Sequence, residues 1–210
     1  GFAVGDKGAL VTNRHVALPW ENDANVTALA DQGLEPVMIK FIVYLPGKTT
    51  AEPVKIVRAS EDADLAVLRR KDETEPMSGL RLAETLPAPG DEVIVMGYPT
   101  GLRSMLAQSG DAFIEELQNT EDIGFWSVGA RLAEKGHIAP LASRGIVGQA
   151  TPATIVYDAE TTHGGSGGPV LDINGSVVAV NAAILPEYGG SNLGVPVAKV
   201  LALLEDAGLR

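Results

Sequence analysis

The stretch His163-Gly164-Gly165-Ser166-Gly167-Gly168-Pro169-Val170 sets four glycines and a proline around one hydroxyl. Glycine reaches backbone angles that cost other residues, and without a Cβ it lets another chain approach the main chain closely. Such a run around Ser166 predicts a tight turn that exposes Oγ and aims neighbouring N–H groups at one point. A serine nucleophile needs both features, an accessible oxygen and backbone donors for a developing oxyanion. A flexible Gly/Ser loop would read the same in isolation, so the rest of the chain has to separate the two.

Working outward, the flanks of this turn are β-prone. Pro169-Val-Leu-Asp172 and Ser176-Val-Val-Ala-Val180 bracket Asn174-Gly175, the dipeptide most diagnostic of a tight hairpin between apolar runs. Gly145–Gly148, Thr154–Tyr157 and Leu193–Val197 read as further strands, and Glu92–Gly97 opens this second half. In the first half, Ala9–Thr12, Pro53–Val57 and Asp64–Leu68 are short apolar or alternating runs, and Val37–Leu45, ended by Pro46-Gly47, is the longest strand candidate. Short strands separated by turn residues predict an all-β sandwich or barrel rather than βαβ units.

Two prolines and a glycine in Glu84–Gly90 mark a linker, which divides the chain into units 1–86 and 87–210. Within the second unit the period changes. Leu102, Met105, Leu106, Phe113, Ile114 and Leu117 recur at helical spacing, with a break at Gly110, and Ile123, Trp126, Ala130 and Ala133 form a second helical set. The spacing predicts a helical insertion over about 103–141, a packing element or a surface for a regulatory partner or second copy. Ala198, Val200, Leu201, Leu203 and Leu204 predict a terminal helix over about 197–208.

Composition excludes several classes. A net charge of −11 disfavours nucleic acid and anionic lipid, which select basic faces. No run approaches the ~20 apolar residues of a membrane span. Cysteine is absent, which removes thiol catalysis, disulfides and Cys-ligated zinc. The sequence begins Gly1-Phe2-Ala3-Val4 without a Met and shows no signal-like segment, as if starting inside its first strand. No metal or cofactor is implied, since neither His-Glu-x-x-His nor Ser-x-x-Lys occurs.

If Ser166 is a nucleophile it needs a base, and the chain has three histidines. His163 sits on the same turn as Ser166, too local to be a well-oriented base. His137 falls in the helical insertion, where exposure is the expectation. His15 closes the apolar run Leu10-Val-Thr-Asn-Arg-His15-Val at the rim of a predicted sheet. Gly164-x-Ser166-x-Gly168 also fits the nucleophile elbow of α/β-hydrolases, but those place their His after the Ser, and no histidine follows Ser166. For the acidic member, Asp64 opens an apolar strand where a carboxylate can lie beside an imidazole, whereas Asp62 lies in a solvated acidic run.

The three stretches Leu10–Val16, Asp64-Leu-Ala-Val-Leu68 and Gly164–Val170, in that order, resemble the catalytic motifs of trypsin-fold serine proteases. More narrowly they resemble the HtrA/Deg branch, with further likeness at Val95–Leu102, Asn174–Asn181 and Leu193–Val197. The resemblance implies two six-stranded antiparallel barrels with the site in the cleft between them. It implies a serine endopeptidase acting on polypeptides through His15, Asp64 and Ser166, without cofactor, and with an oxyanion hole from the N–H groups of Gly164 and Ser166. It further implies an edge strand at Asn181, Ala182 and Ala183 that pairs with extended substrate, a P1 pocket at Glu160 and Thr161 favouring small aliphatic groups, and an extracytoplasmic location. Glu160 would suit a basic P1 group instead.

The sequence departs from the branch at four points. Gly165 replaces the usual Asn or Asp, His163 the usual Pro and the helical insertion a short connection, and no PDZ domain is expected within the 210 residues. The alternative expectation is a latent or inactive protease-fold module that binds peptides or a partner.

Overall fold

The computed structural model describes residues 1–72, 77–161, 164–185 and 191–210. His163 and its neighbour Thr162 lie outside the described residues. The first half supplies β1 (Phe2–Val4), β2 (Ala9–Thr12), α1 (Arg14–Ala17), α2 (Ala24–Ala30), β3 (Ile42–Val43), β4 (Glu52–Ala59) and β5 (Ala66–Arg70). The second supplies β6 (Glu92–Gly97), α3 (Leu102–Gln108), α4 (Asp111–Gln118), α5 (Phe125–Glu134), β7 (Leu141–Ala150), β8 (Ile155–Tyr157), β9 (Pro169–Asp172), β10 (Val177–Leu185), β11 (Ser191–Pro196) and α6 (Val197–Asp206).

Strands β10-β11-β8-β7-β6-β9 close into a six-stranded antiparallel barrel. Its interior is filled by Val93, Val95, Val147, Ile155, Tyr157, Val170, Val178 and Ala179, all buried. The β9–β10 hairpin forms at Asn174-Gly175, with Gly175 at φ +77° and its N–H donating to Asp172 O at 3.0 Å. The remaining strands form a sheet in the order β1-β2-β5-β4-β3. Among the described residues this is an open five-stranded half-barrel rather than the closed six-stranded one expected.

The expected long strand Val37–Leu45 explains part of that difference. Only Ile42 and Val43 pair, with Pro53 and Glu52. Val37 and Ile39, at 79% and 94% exposure, carry their side chains into solvent. The segment instead runs toward the helical insertion, where the Lys40 ammonium lies 4.3 Å from the Trp126 ring centre. Tyr44 packs in the cluster built by Met105, Phe113, Leu117, Val128 and Leu132. A cation over an indole face and a half-buried phenol ring outweigh two more ladder hydrogen bonds at a wet edge.

The insertion lies between β6 and β7 as expected, but as three helices, because Gly110 at φ +82° separates α3 from α4. A short helix, α2, was not legible: Asp23 caps it by accepting from the N–H groups of Asn25 and Val26, yet none of its residues is buried. Without an apolar stripe it leaves no periodic signal. The terminal helix α6 lies where the spacing predicts. Its Val200, Leu203 and Leu204 join one apolar cluster with Phe2, Val11, Leu65 and Val67 of the first sheet and Leu171, Val177 and Val180 of the barrel.

Candidate active site

The site begins with a register. β2 and β5 pair antiparallel from Ala9↔Arg69 to Thr12↔Ala66. The residues that leave β2 therefore face those that enter β5. His15 follows β2 in α1, Asp64 precedes β5, and they meet. His15 Nδ1 lies 2.7 Å from Asp64 Oδ2, and the His15 backbone N–H donates to Asp64 Oδ1 at 3.0 Å. A carboxylate so placed fixes the ring orientation and puts the proton on Nδ1, leaving Nε2 as the basic nitrogen.

The loop that carries Asp64 is held by its own hydroxyl and by the segment before His15. Ser60 Oγ accepts from the N–H groups of Asp62 and Ala63 at 3.3 and 3.1 Å. Arg14 Nη1 donates to Ser60 O at 2.5 Å, and Asn13 Nδ2 to Asp64 O at 2.8 Å. Arg14 also binds Glu21, whose carboxyl this hydrogen bond holds below the usual range. Asp62, the competing acid, is exposed. His137 lies in the insertion, its ring edge-on to Phe113 at 5.0 Å between centroids.

The glycine-rich turn lies at the mouth of the barrel, just before β9. Gly167 N–H donates to Asn181 O at 2.8 Å and Gly168 N–H to Gly165 O at 3.1 Å. Gly164 and Ser166 have no hydrogen-bond acceptor for their N–H groups among the described residues. Gly164 has φ +99°, and a Cβ there would overlap the Tyr98 carbonyl oxygen and press on the amides of Thr100 and Gly101. Gly167, at φ +77°, stands so close to β2 that a Cβ would overlap Thr12 Oγ1 and lie 3.2 Å from Asn13 N. The turn thus abuts the strand end from which His15 departs. Ser166 Oγ lies 3.5 Å from Ala182 O; among the described residues no hydrogen bond joins it to the His15 ring.

Ala182 and Ala183 lie on β10 at a register shift against β11, which runs between Asn181 and Ala183. Asn181 is different in kind. Its side chain is 3% exposed and its Oδ1 accepts from Tyr157 Oη at 2.5 Å, while its N–H donates to Gly168 O at 2.9 Å. Burial pushes the Tyr157 phenol well above its ordinary range, so it stays a donor to Asn181. Glu160 is exposed; its carbonyl accepts from Ser143 Oγ at 2.5 Å. With Thr161, Gly165, Val95, Pro99 and Leu141 it borders a cavity of about 210 Å³. Asn13, Arg14 and Ser60 escaped the sequence reading; the usable signal was a polar pair interrupting an apolar run directly before His15.

The family model for the trypsin-like peptidase domain matches residues 1–180. The chain belongs to that family. Among curated relatives, a probable periplasmic serine endoprotease, DegP-like, of Chlamydia trachomatis is 30% identical over 190 residues, spanning 90% of this chain and 29% of the relative. The mitochondrial serine protease HTRA2 of Drosophila pseudoobscura is 26% identical over 210 residues, all of this chain and 39% of that protein. The chain therefore spans well under half the length of these relatives. Among solved structures, the serine endoprotease from Yersinia pestis superposes with a TM-score of 0.64 at 19% identity, covering 98% of this chain and 56% of that one. The likeness to the HtrA/Deg branch of trypsin-like peptidases and to their fold holds along the chain.

Proposed function

We propose that this chain is a serine endopeptidase whose triad is His15, Asp64 and Ser166. The observation that carries the reading is the His15–Asp64 pair, joined at 2.7 Å, beside the turn that presents Ser166. Ser166 Oγ attacks the peptide carbonyl while His15 Nε2 takes its proton; Asp64 stabilises the imidazolium. Collapse of the tetrahedral species expels the amine, which takes the proton from His15, and leaves an acyl-enzyme that water then hydrolyses by the same steps. Rotation about χ1 carries Oγ from Ala182 O toward the imidazole, since such hydrogen bonds tighten only when substrate is bound.

The N–H groups of Gly164 and Ser166 form the oxyanion hole, a contribution of roughly 3 kcal/mol per donor. Ala182 and Ala183 offer the backbone edge to an extended polypeptide, while Asn181, already bonded to Gly167 and Gly168, anchors that edge to the nucleophile turn. Glu160 and Thr161 border the P1 side. Extracytoplasmic placement accords with the relative named as periplasmic. The insertion at 103–141 is the surface for a regulatory partner or second copy.

The test is labelling with a fluorophosphonate probe alongside peptide hydrolysis, with Ser166→Ala as control. Labelling and turnover that vanish together in the variant support the reading; turnover that survives Ser166→Ala sinks it. Paired substrates with Val or Arg at P1 resolve the pocket, with Val expected to be cut faster.

A further inference from the structure

The side chain of Asn13 is fully buried, yet it breaks the ordinary rule for its position. Asn13 stands as N-cap of α1, with φ −74° and ψ 151°, but makes no side-chain capping bond. An N-cap Asn normally turns its carbonyl oxygen onto the N–H of the second or third helical residue. Here the second residue is His15, and its N–H is taken instead by Asp64 Oδ1 at 3.0 Å. The Asn13 amide reaches the other way, Nδ2 donating to Asp64 O at 2.8 Å. The two residues have exchanged duties: Asp64 caps the helix that carries His15, and Asn13 holds the backbone of Asp64.

This exchange carries a cost. Asn13 Oδ1 is buried with no hydrogen-bond partner among the described residues, and an unsatisfied buried acceptor disfavours the fold. Turning the amide over would set Oδ1 against Asp64 O, acceptor to acceptor, so the donor side is locked where it is. The backbone N of Asn13 also lies against Gly167, one residue past Ser166. Packing alone would be better served by an apolar side chain here.

We propose that Asn13 is a positioning residue that fixes Asp64 against His15 and, through Gly167, sets that pair against the Ser166 turn. The inference rests on the endopeptidase reading above. Asn13 touches neither substrate nor a reacting atom; it acts on the direction of the Asp64 carboxylate. Asn13→Asp is then worse than Asn13→Ala. Its carboxylate accepts the His15 N–H locally, displaces Asp64 Oδ1 and repels it.

The experiment measures kcat, KM and thermal midpoint for Asn13→Ala and Asn13→Asp, each alone and combined with Asp64→Asn. Expected is a fall in kcat of about ten- to a hundredfold for Asn13→Ala, the scale of a misplaced catalytic group, with KM within about twofold and a larger fall for Asn13→Asp. In the Asp64→Asn background the Asn13 substitutions should cost almost nothing further, because both act on one hydrogen bond. An Asp variant milder than Ala, or full additivity with Asp64→Asn, overturns the proposal in favour of packing alone. If Ser166-dependent turnover is absent in the parent chain, the endopeptidase reading has failed by itself. The far-downfield proton resonance of His15 Nδ1–H, read on the same variants, then decides the inference: it moves or broadens in both Asn13 variants if Asn13 positions Asp64, and an unchanged resonance overturns it.

Discussion

The two halves of the site are built by different means. The His15–Asp64 corner is a strand register locked by directional bonds, with Asn13, Arg14 and His15 each donating to the loop at 60–64. The Ser166 turn has few such bonds and is shaped by what it lacks. Gly164, Gly167 and Gly168 stand where any Cβ would overlap Tyr98, Thr12 or Met96. A hydrogen-bonded corner loses geometry gradually as bonds are removed. A turn fitted by absent side chains tolerates almost nothing, because a methyl group has nowhere to go.

The largest effects should fall on the proposed reacting groups in both halves. His15→Ala is expected to lower kcat by about 10⁴- to 10⁶-fold with the thermal midpoint nearly unchanged, as steady-state kinetics and a melt would register together. An unchanged rate would break the comparison at its root.

Gly164→Ala comes next. The added methyl meets the Tyr98 carbonyl at a backbone angle that L-residues avoid. The substitution should cost about 10²- to 10³-fold in kcat, the scale of a lost oxyanion donor, and should also lower the midpoint. Arg14→Ala, on the bonded side, removes one tie to Ser60 and should lower kcat by less than about tenfold, since Asn13 and His15 still hold Asp64. If Arg14→Ala proved the more damaging of these two, the distinction between corner and turn would be lost.

Smaller effects test the supports. Tyr157→Phe strands Asn181 Oδ1 inside the barrel and should destabilise by about 1–3 kcal/mol in urea unfolding. The raised phenol has a pH signature too. Its contribution is whole below the ordinary phenol value of 10.0 and declines as pH climbs above it, so Tyr157→Phe should flatten the alkaline limb of the stability curve. Thr100→Gly runs the other way. Thr100 sits at φ +56° beside Gly164, and glycine there should raise stability by about 1 kcal/mol.

Legibility followed the same division. The Asp64-Leu-Ala-Val-Leu68 run and the apolar stretch into His15 show the hydrogen-bonded corner, because registered strands leave periodic patterns. The glycines around Ser166 reveal that a special backbone is required, and Gly110 and Asn174-Gly175 punctuate helices and hairpin. The departure of residues 37–40 from the first sheet could not be read, for Phe41 O still accepts from Val54 N–H at 3.1 Å. Val37, Met38 and Ile39 have every local preference for a strand, and only the tertiary draw of Trp126 and of the cluster around Tyr44 takes them elsewhere. Asn13 hid for a related reason: its importance lies in a partner 51 positions away.

The shared apolar cluster under α6 has a consequence for how the chain is made. Val200, Leu203 and Leu204 cover a face formed by Phe2, Val11, Leu65 and Val67. During synthesis at ~5–20 residues per second, that face waits on the order of ten seconds for its cover. Throughout that interval an emerging chain already holds His15 and Asp64 but has neither a closed barrel nor a seated Ser166. Within residues 1–210, β11 closes the barrel and α6 covers the shared face almost together, so the proposed triad cannot act on the growing chain or its neighbours before both have emerged.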